Sequence, residues 1–248
     1  MTVDKLAALR KTDLFGSLPE PILKKIAAVA VARELTRGQL LYSEREEATG
    51  LYVVVRGELR SVRQNHDGRE QVLSTERPGA ILAAVPVFNG GKFFSTIIAD
   101  SSAVVLRIEK QHVHDFCREH TELLWNLARV LAHKVRHYAE LIEILALRNV
   151  EQRVAQHILT IARERGVAVG ERCIVELTLS RAEIASRVGS VREVVSRSFA
   201  DLQKRGLIEV EGRRLVTVPD MRKLAAFAGS NLDYRDAGLV ADVRSDLA

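Results

Sequence analysis

The sequence predicts an α+β protein: an N-terminal antiparallel β-roll, a long helix, and a C-terminal helical unit carrying a two-stranded wing. Three patterns predict it. Glycine-punctuated β-type runs fill the stretch from about Thr36 to Ile108, an apolar repeat at steps of four and three runs from Thr121 to Arg148, and two helix-start signals flank Gly189. The chain has 248 residues, 47% of them hydrophobic, with 37 Lys and Arg against 32 Asp and Glu of mixed placement, so it can bury a core and should be folded almost throughout. Four parts are expected: a roll over 1–120, a helix over 121–148, a C-terminal unit over 149–229 and a tail over 230–248.

In the roll, the runs ARELT, GQLLY, GLYVVV, GELRSV, EQVLST and AVVLRIE are separated by Gly38, Gly50, Gly57, Asp67-Gly68 and Gly79. The Asp-Gly pair is a hairpin signal, and the even spacing of turns favours antiparallel pairing. Ahead of the roll, Ser17 and Glu20 form a capping-box pattern before PILKKIAAVA, which predicts a short helix capped by Ser17.

The long helix carries Leu124, Ala128, Leu131, Val135, Tyr138, Ile142 and Leu145 on one seam. At 1.5 Å per residue it is about 40 Å long, more than one small domain can cover. Dimerisation through this seam is the expectation, because Lys134, His133, His137 and Glu140 leave the other faces polar; the alternative is a helix lying on its own roll.

After Asn149 come a helix from Val150 to Arg165, a strand CIVELTL, two short helices and the hairpin GLIEVEGRRLVTV. Ser180 and Glu183 form a capping box, with Leu179 and Ile184 at the hydrophobic-staple positions; Gly189 ends that helix, and Ser190 with Glu193 forms a second capping pattern. Helix, tight glycine turn, helix is the sequence form of a helix-turn-helix, here with a wing. On the second helix Val195, Phe199 and Leu202 share one face, while Glu193, Ser196, Arg197 and Ala200 fall opposite, flanked by Arg192. An Arg can pair bidentately with guanine and a Glu can accept from the cytosine amino group, so Glu193 and Arg197 are candidate base readers. The competing reading is that Glu193 only closes its capping box and Arg197 is its solvated i,i+4 partner. The charge balance favours the first: from Ser180 to Lys223 there are ten basic residues, Arg213 and Arg214 of the wing among them, against six acidic ones, a net +4 of the chain's +5.

These features resemble the cyclic-AMP receptor protein and fumarate-nitrate regulator (CRP/FNR) superfamily of bacterial transcription factors over about Leu14 to Gly229. The resemblance rests on Arg192, Glu193, Ser196 and Arg197 of the second helix, the wing GLIEVEGRRLVTV, the segment RNVEQRVAQHIL and the roll starting near LFGSLP. It implies a cyclic-nucleotide-binding-domain-like roll that senses an effector, base reading by Glu193 and Arg197 with Ser196 in support, a homodimer on a palindromic double-stranded DNA operator, and RNA polymerase as a further partner. The other function weighed is a small-ligand-binding roll whose basic unit makes protein contacts.

The sequence departs from the family at the effector site. Ala84 stands where cyclic-nucleotide-binding members carry a Glu for the ribose, and Phe94 precedes Ser95 where they carry an Arg for the cyclic phosphate. Cyclic AMP is therefore not expected, since a buried phosphate needs a charged partner. Ala84, Phe93, Phe94, Ser95, Thr96 and Leu127 are the candidate effector pocket, with Leu124 and Leu127 in reach of the two phenylalanines, and any effector is expected to be apolar or weakly polar, if one is required at all. Lys92 is expected to face solvent.

The remaining signals are exclusions. The longest apolar stretch, Ile26 to Ala32, is far short of the roughly 20 residues of a spanning helix, so no membrane contact is expected, and the start reads as cytoplasmic rather than secretory. Cys117 and Cys173 are too few for a disulfide framework or a four-thiolate iron-sulfur cluster. His114, Cys117 and His120, or His133 and His137, have spacings that could hold a metal or haem, but solvated surface is the reading adopted and neither is expected. Asn89 to Lys92 reads as a turn rather than a phosphate loop, and no nucleophile-plus-base motif appears, so no enzyme is expected.

Overall fold

The computed structural model of the chain describes residues 3–170, 172–212 and 214–229. Arg213 and the tail 230–248 lie outside the described residues. The chain divides into two compact units, Met1–Leu141 and Ile142–Ala248.

In the first unit, helices α1 (Lys5–Arg10) and α2 (Glu20–Val29) precede strands β1 (Val31–Leu35), β2 (Leu40–Tyr42), β3 (Gly50–Arg56), β4 (Leu59–Gln64), β5 (Glu70–Glu76) and β6 (Ile81–Leu82). Then follow the short helix α3 (Ala84–Asn89), β7 (Thr96–Ala99), β8 (Ala103–Glu109), α4 (Lys110–Glu119) and the long helix α5 (Thr121–Leu147). Two four-stranded antiparallel sheets, ordered β1-β8-β3-β6 and β2-β7-β4-β5, form the roll. Strands β3 and β8 read as unbroken apolar runs because both their faces are covered: Leu51, Val53, Val105, Leu106 and Ile108 are buried in one core with Leu123, Leu127 and Val130 of α5. At Asp67-Gly68 the hairpin forms, Asn65 Oδ1 accepting from the Asp67 and Arg69 amides. Gly57 cannot be replaced: its φ is +83°, and a Cβ there would stand 2.4 Å from the Ser102 carbonyl oxygen.

One expectation about this unit is corrected. Ser17 does not cap α2, whose cap is Pro19 with Pro21 inside the first turn, where a missing N–H costs nothing. The Ser17 hydroxyl instead accepts at 2.9 Å from Asn126 Nδ2, which also donates to the Leu14 carbonyl at 3.0 Å, so a buried amide on α5 holds the segment entering α2. Sequence pattern also leaves α1, α3, β6 and β7 unmarked, all six residues or fewer.

In the second unit, α6 (Val150–Arg165) is followed by β9 (Val167–Val169), β10 (Arg172–Glu176), α7 (Arg181–Val188), α8 (Arg192–Lys204), β11 (Glu209–Glu211), β12 (Leu215–Val218) and α9 (Met221–Ala228). The wing is part of a larger sheet than the two strands expected, ordered β11-β12-β10-β9. Its core joins Val154, Ile158 and Leu159 of α6 to Ile184, Val195, Phe199, Leu202, Val216 and Leu224. Asn149 and Gln152 close a capping box at the start of α6.

His157 of α6 is half-buried in this unit, with its Nε2 shielded from solvent. Burial, and after it the Arg187 charge, push its imidazole down to about 4. The folded protein therefore holds it neutral, and the stability it allows is complete above about 6.5 and lost as pH falls from there toward 4. Between pH 7.5 and 5.0 this one group should cost about 2 kcal/mol. Urea unfolding followed by circular dichroism checks it: His157→Leu should lose about that much less stability than the wild type over the same interval.

Candidate nucleic-acid interface

The helix-turn-helix is built as its capping chemistry dictates. Ser180 Oγ accepts from the Glu183 amide at 3.2 Å while a Glu183 carboxylate oxygen accepts from the Ser180 amide at 2.7 Å, which fixes the start of α7. Gly189 ends α7 in the left-handed conformation, φ 66°. Beyond it the second capping pattern does not form as read: Val191, not Ser190, is the cap of α8, with no side-chain cap bond. Ser190 sits half-buried in the turn.

Along α8 the side chains sort by the 3.6 period. Val195, Ser198, Phe199 and Leu202 are buried, and Arg192, Glu193, Ser196, Arg197, Ala200 and Gln203 are exposed. Among the described residues neither the Glu193 carboxylate nor the Arg197 guanidinium has a hydrogen-bond or ion-pair partner, so the i,i+4 pair of the competing reading does not form. Both polar heads are available one turn apart. The Ser196 hydroxyl donates to the Arg192 carbonyl at 2.9 Å, a bond internal to the helix that leaves its lone pairs able to accept. Arg214 is exposed at the wing tip, immediately before β12; Arg213 lies outside the described residues.

One contact is not legible in the sequence. The Arg181 guanidinium stacks on the Phe199 ring, its carbon 3.3 Å from the ring centroid, and burial lowers its pKa below the ordinary arginine value. This ties the start of α7 to the middle of α8, and only the helix crossing brings the two residues together.

In the roll, a cavity of about 20 Å³, room for about one water, is lined by Ala84, Phe93, Phe94 and Ser95 together with Tyr42, Glu76, Lys134 and Tyr138. Four of the six candidate pocket residues thus meet; Thr96 and Leu127 do not line it. The Thr96 hydroxyl accepts from the Glu44 amide, and Leu127 is in the roll core. Phe93 fills the space by stacking on Tyr42 with ring centroids 3.7 Å apart. Phe94 meets α5 through an edge contact to Tyr138 at 6.4 Å, in place of the expected Leu124 and Leu127, because Leu124 turns outward. Glu76, buried beside the cavity, accepts from Ser74 at 2.8 Å and from Lys134 at 3.4 Å, and it follows burial as a cause that pushes the Tyr138 phenol up. Lys92 is exposed, as the turn suggested, and lies 3.7 Å from Glu47.

The seam residues divide as well. Leu124, Val135 and Ile142 are 43%, 68% and 66% exposed, and Ala128 is exposed too. Leu131, Tyr138 and Leu145 are half-buried, Leu131 against the roll core and Tyr138 at the cavity. The exposed stripe passes instead through Leu124, Ala128, Ala132, Val135, Ala139, Ile142 and Ala146. Of the histidines weighed for a metal, His114 Nε2 lies 2.9 Å from the Val87 carbonyl and His137 Nε2 2.9 Å from that of Leu73.

A roll followed by a long helix and a winged helix-turn-helix with an exposed Arg/Glu face defines a nucleic-acid-reading regulator. Comparison with known proteins agrees. Residues 32–120 match the family model for the cyclic nucleotide-binding domain and residues 152–227 that for the Crp-like helix-turn-helix domain. The chain is 28% identical over 217 residues to the CRP-like cAMP-activated global transcriptional regulator of Mycobacterium tuberculosis, covering 88% of this chain and 96% of that protein. It is 26% identical over 200 residues to the fumarate and nitrate reduction regulatory protein of Salmonella typhi, covering 79% and 78%. A solved CRP-family transcriptional regulator from Thermus thermophilus superposes with a TM-score of 0.64 at 30% identity, covering 80% of this chain and 97% of that one. The chain belongs to the CRP/FNR superfamily. It is a DNA-binding transcription regulator of that type, and its relatives are transcription regulators rather than enzymes. No helix among the described residues is long and apolar enough to cross a membrane.

Replacing the two kinds of arginine should separate their roles. Arg197→Ala should cost about 1–3 kcal/mol on the specific site and relax preference at one base pair, whereas Arg214→Ala should weaken all duplexes alike and lower the salt slope by about one. Selection from randomised duplexes with each variant measures both.

Proposed function

We propose that the protein reads a palindromic operator as a homodimer zipped along α5, with Glu193 and Arg197 on base edges, Ser196 and Ser190 beside them, and Arg192, Arg213 and Arg214 on the backbone. In this reading residues 1–120 sense, 121–148 dimerise, 149–229 bind DNA in the cytoplasm and engage RNA polymerase, and 230–248 form a tail. The observation that carries it is the exposed stripe on α5. Side chains such as Val135 and Ile142 gain about 1.5–3 kcal/mol each when fully buried, and the intervening alanines allow a second helix to approach closely. A two-fold axis along that stripe matches the two-fold symmetry of a palindrome.

Val135→Asp combined with Ile142→Asp should give monomers by sedimentation and lower operator affinity about 100-fold or more, the roughly 3 kcal/mol or greater cost of an unpaired charge at a buried seam. A double variant that sediments as a dimer and still binds the operator would remove the seam.

For the roll, we propose a compact apolar or weakly polar effector, or none, in place of cyclic AMP. The cavity supports this: about 20 Å³ is far below the roughly 300 Å³ and more of a small-molecule pocket, and its one ammonium, Lys134, is already placed on Glu76. Titration with cyclic AMP at millimolar concentration should give no saturable heat and no change in operator affinity. Saturable heat with tighter operator binding is the contrary result.

A further inference from the structure

Arg153 lies in the first turn of α6, on no face assigned so far. Its Nη1 donates to the carbonyls of Leu145 at 3.1 Å and Arg148 at 2.9 Å, and its Nη2 donates to the carbonyl of Gly189 at 3.3 Å. Its Nε is buried with no partner, and loss of solvent lowers its pKa below the ordinary arginine value.

The acceptors belong to two segments with different duties. Leu145 and Arg148 supply carbonyls at the C-terminal end of α5, where the last carbonyls of a helix have no intrahelical partner and the dipole favours a cation. Gly189 is the left-handed residue that ends α7, two residues ahead of the cap of α8. One planar fork therefore joins the end of the long helix to the turn that launches the reading helix. A lysine, with a point charge and one nitrogen, cannot hold both.

We infer that Arg153 is a positioning residue for operator reading: it pins the turn before α8 to the C-terminal end of α5 and so sets where Arg192 and Glu193 are presented. The inference rests on the homodimer reading above. A dimer engages both half-sites only if its two reading helices are held about 34–36 Å apart, one turn of the duplex. A loose joint lowers the effective concentration of the second helix over its half-site, and leaves the binding of one half-site untouched. Its loss should thus be seen on the palindrome alone.

The test uses the full chain with Arg153→Lys, which keeps the charge and loses the fork, and Arg153→Gln, which loses the charge. Hydrogen exchange on the free protein reads the joint: in both variants, amides at 147–149 and 189–191 should exchange at least tenfold faster, while those of the α8 core at 195–202 should not change. The duplex probes are a palindrome selected by the wild type from a random pool, the same duplex with one half scrambled, and random DNA. Affinity for the palindrome should fall about tenfold or more, with the other two within twofold and the salt slope unchanged. Exchange that rises at only one segment or at neither, or an equal loss on palindrome and half-site, would overturn the inference. A salt slope reduced by about one would also overturn it, marking Arg153 as a phosphate contact. If the wild type binds the palindrome no more tightly than the half-site, the homodimer reading falls and takes the operator role of Arg153 with it; the exchange measurement then upholds or overturns the joint by itself.

Discussion

A 27-residue helix with an apolar stripe beyond the face it buries has more surface to cover than one roll can supply, and the architecture answers that constraint. One face of α5 is buried inside the first unit, where Leu123, Leu127 and Val130 complete the roll core. The opposite stripe is left to solvent in a single chain. Leaving Val135 and Ile142 two-thirds exposed is costly for a monomer and useful for a pair. The same helix thus completes the fold of one unit and leaves an apolar stripe exposed in a single chain.

The DNA-reading unit obeys a parallel logic at smaller scale. Helix α8 commits Val195, Phe199 and Leu202 to the core, which leaves Glu193 and Arg197 outward by the period of the helix alone. Orientation about the axis is therefore set by burial. Two arginine contacts add to the packing there: the Arg181 guanidinium laid on Phe199 and the Arg153 fork on the Gly189 carbonyl. Both are arginines lowered in pKa by burial rather than by charge neighbours, and both act on other protein groups instead of on solvent.

What the sequence discloses follows the range of the interactions involved. Glycine-bounded strands, the α7 capping box and the sidedness of α8 depend on residues within one or two turns of one another, and they are legible. Ser17 and Ser190 look like caps and are not, because the capping pattern is a short motif that proline at position 19 and the tight turn at Gly189 override. The apolar stripe of α5 is legible too, but the repeat includes Leu131 and Tyr138, which a strict heptad places on the stripe and which the roll draws into half-buried positions. Arg153, Arg181 and Asn126 carry no local signal at all. The Gly189 carbonyl is 36 residues from Arg153, Phe199 is 18 from Arg181 and Leu14 is 112 from Asn126, and only the fold brings each pair together.

The roll is tied to α5 by polar contacts as well as by packing, and their placement has a mechanical consequence. Asn126 holds the carbonyl of Leu14, His137 bonds that of Leu73, and Lys134 reaches Glu76. Two of these three ties end on β5, four residues of one strand. Each hydrogen bond is worth about 1 kcal/mol net, and stranding the buried Glu76 carboxylate without its ammonium costs more. A shift of strand β5 against α5 would break both ties together, and the ion pair is the costlier of the two to part. Phe94 sits against the same stretch of helix through Tyr138. The cavity wall thus meets α5 at Tyr138, which lies along the helix between the exposed Val135 and Ile142.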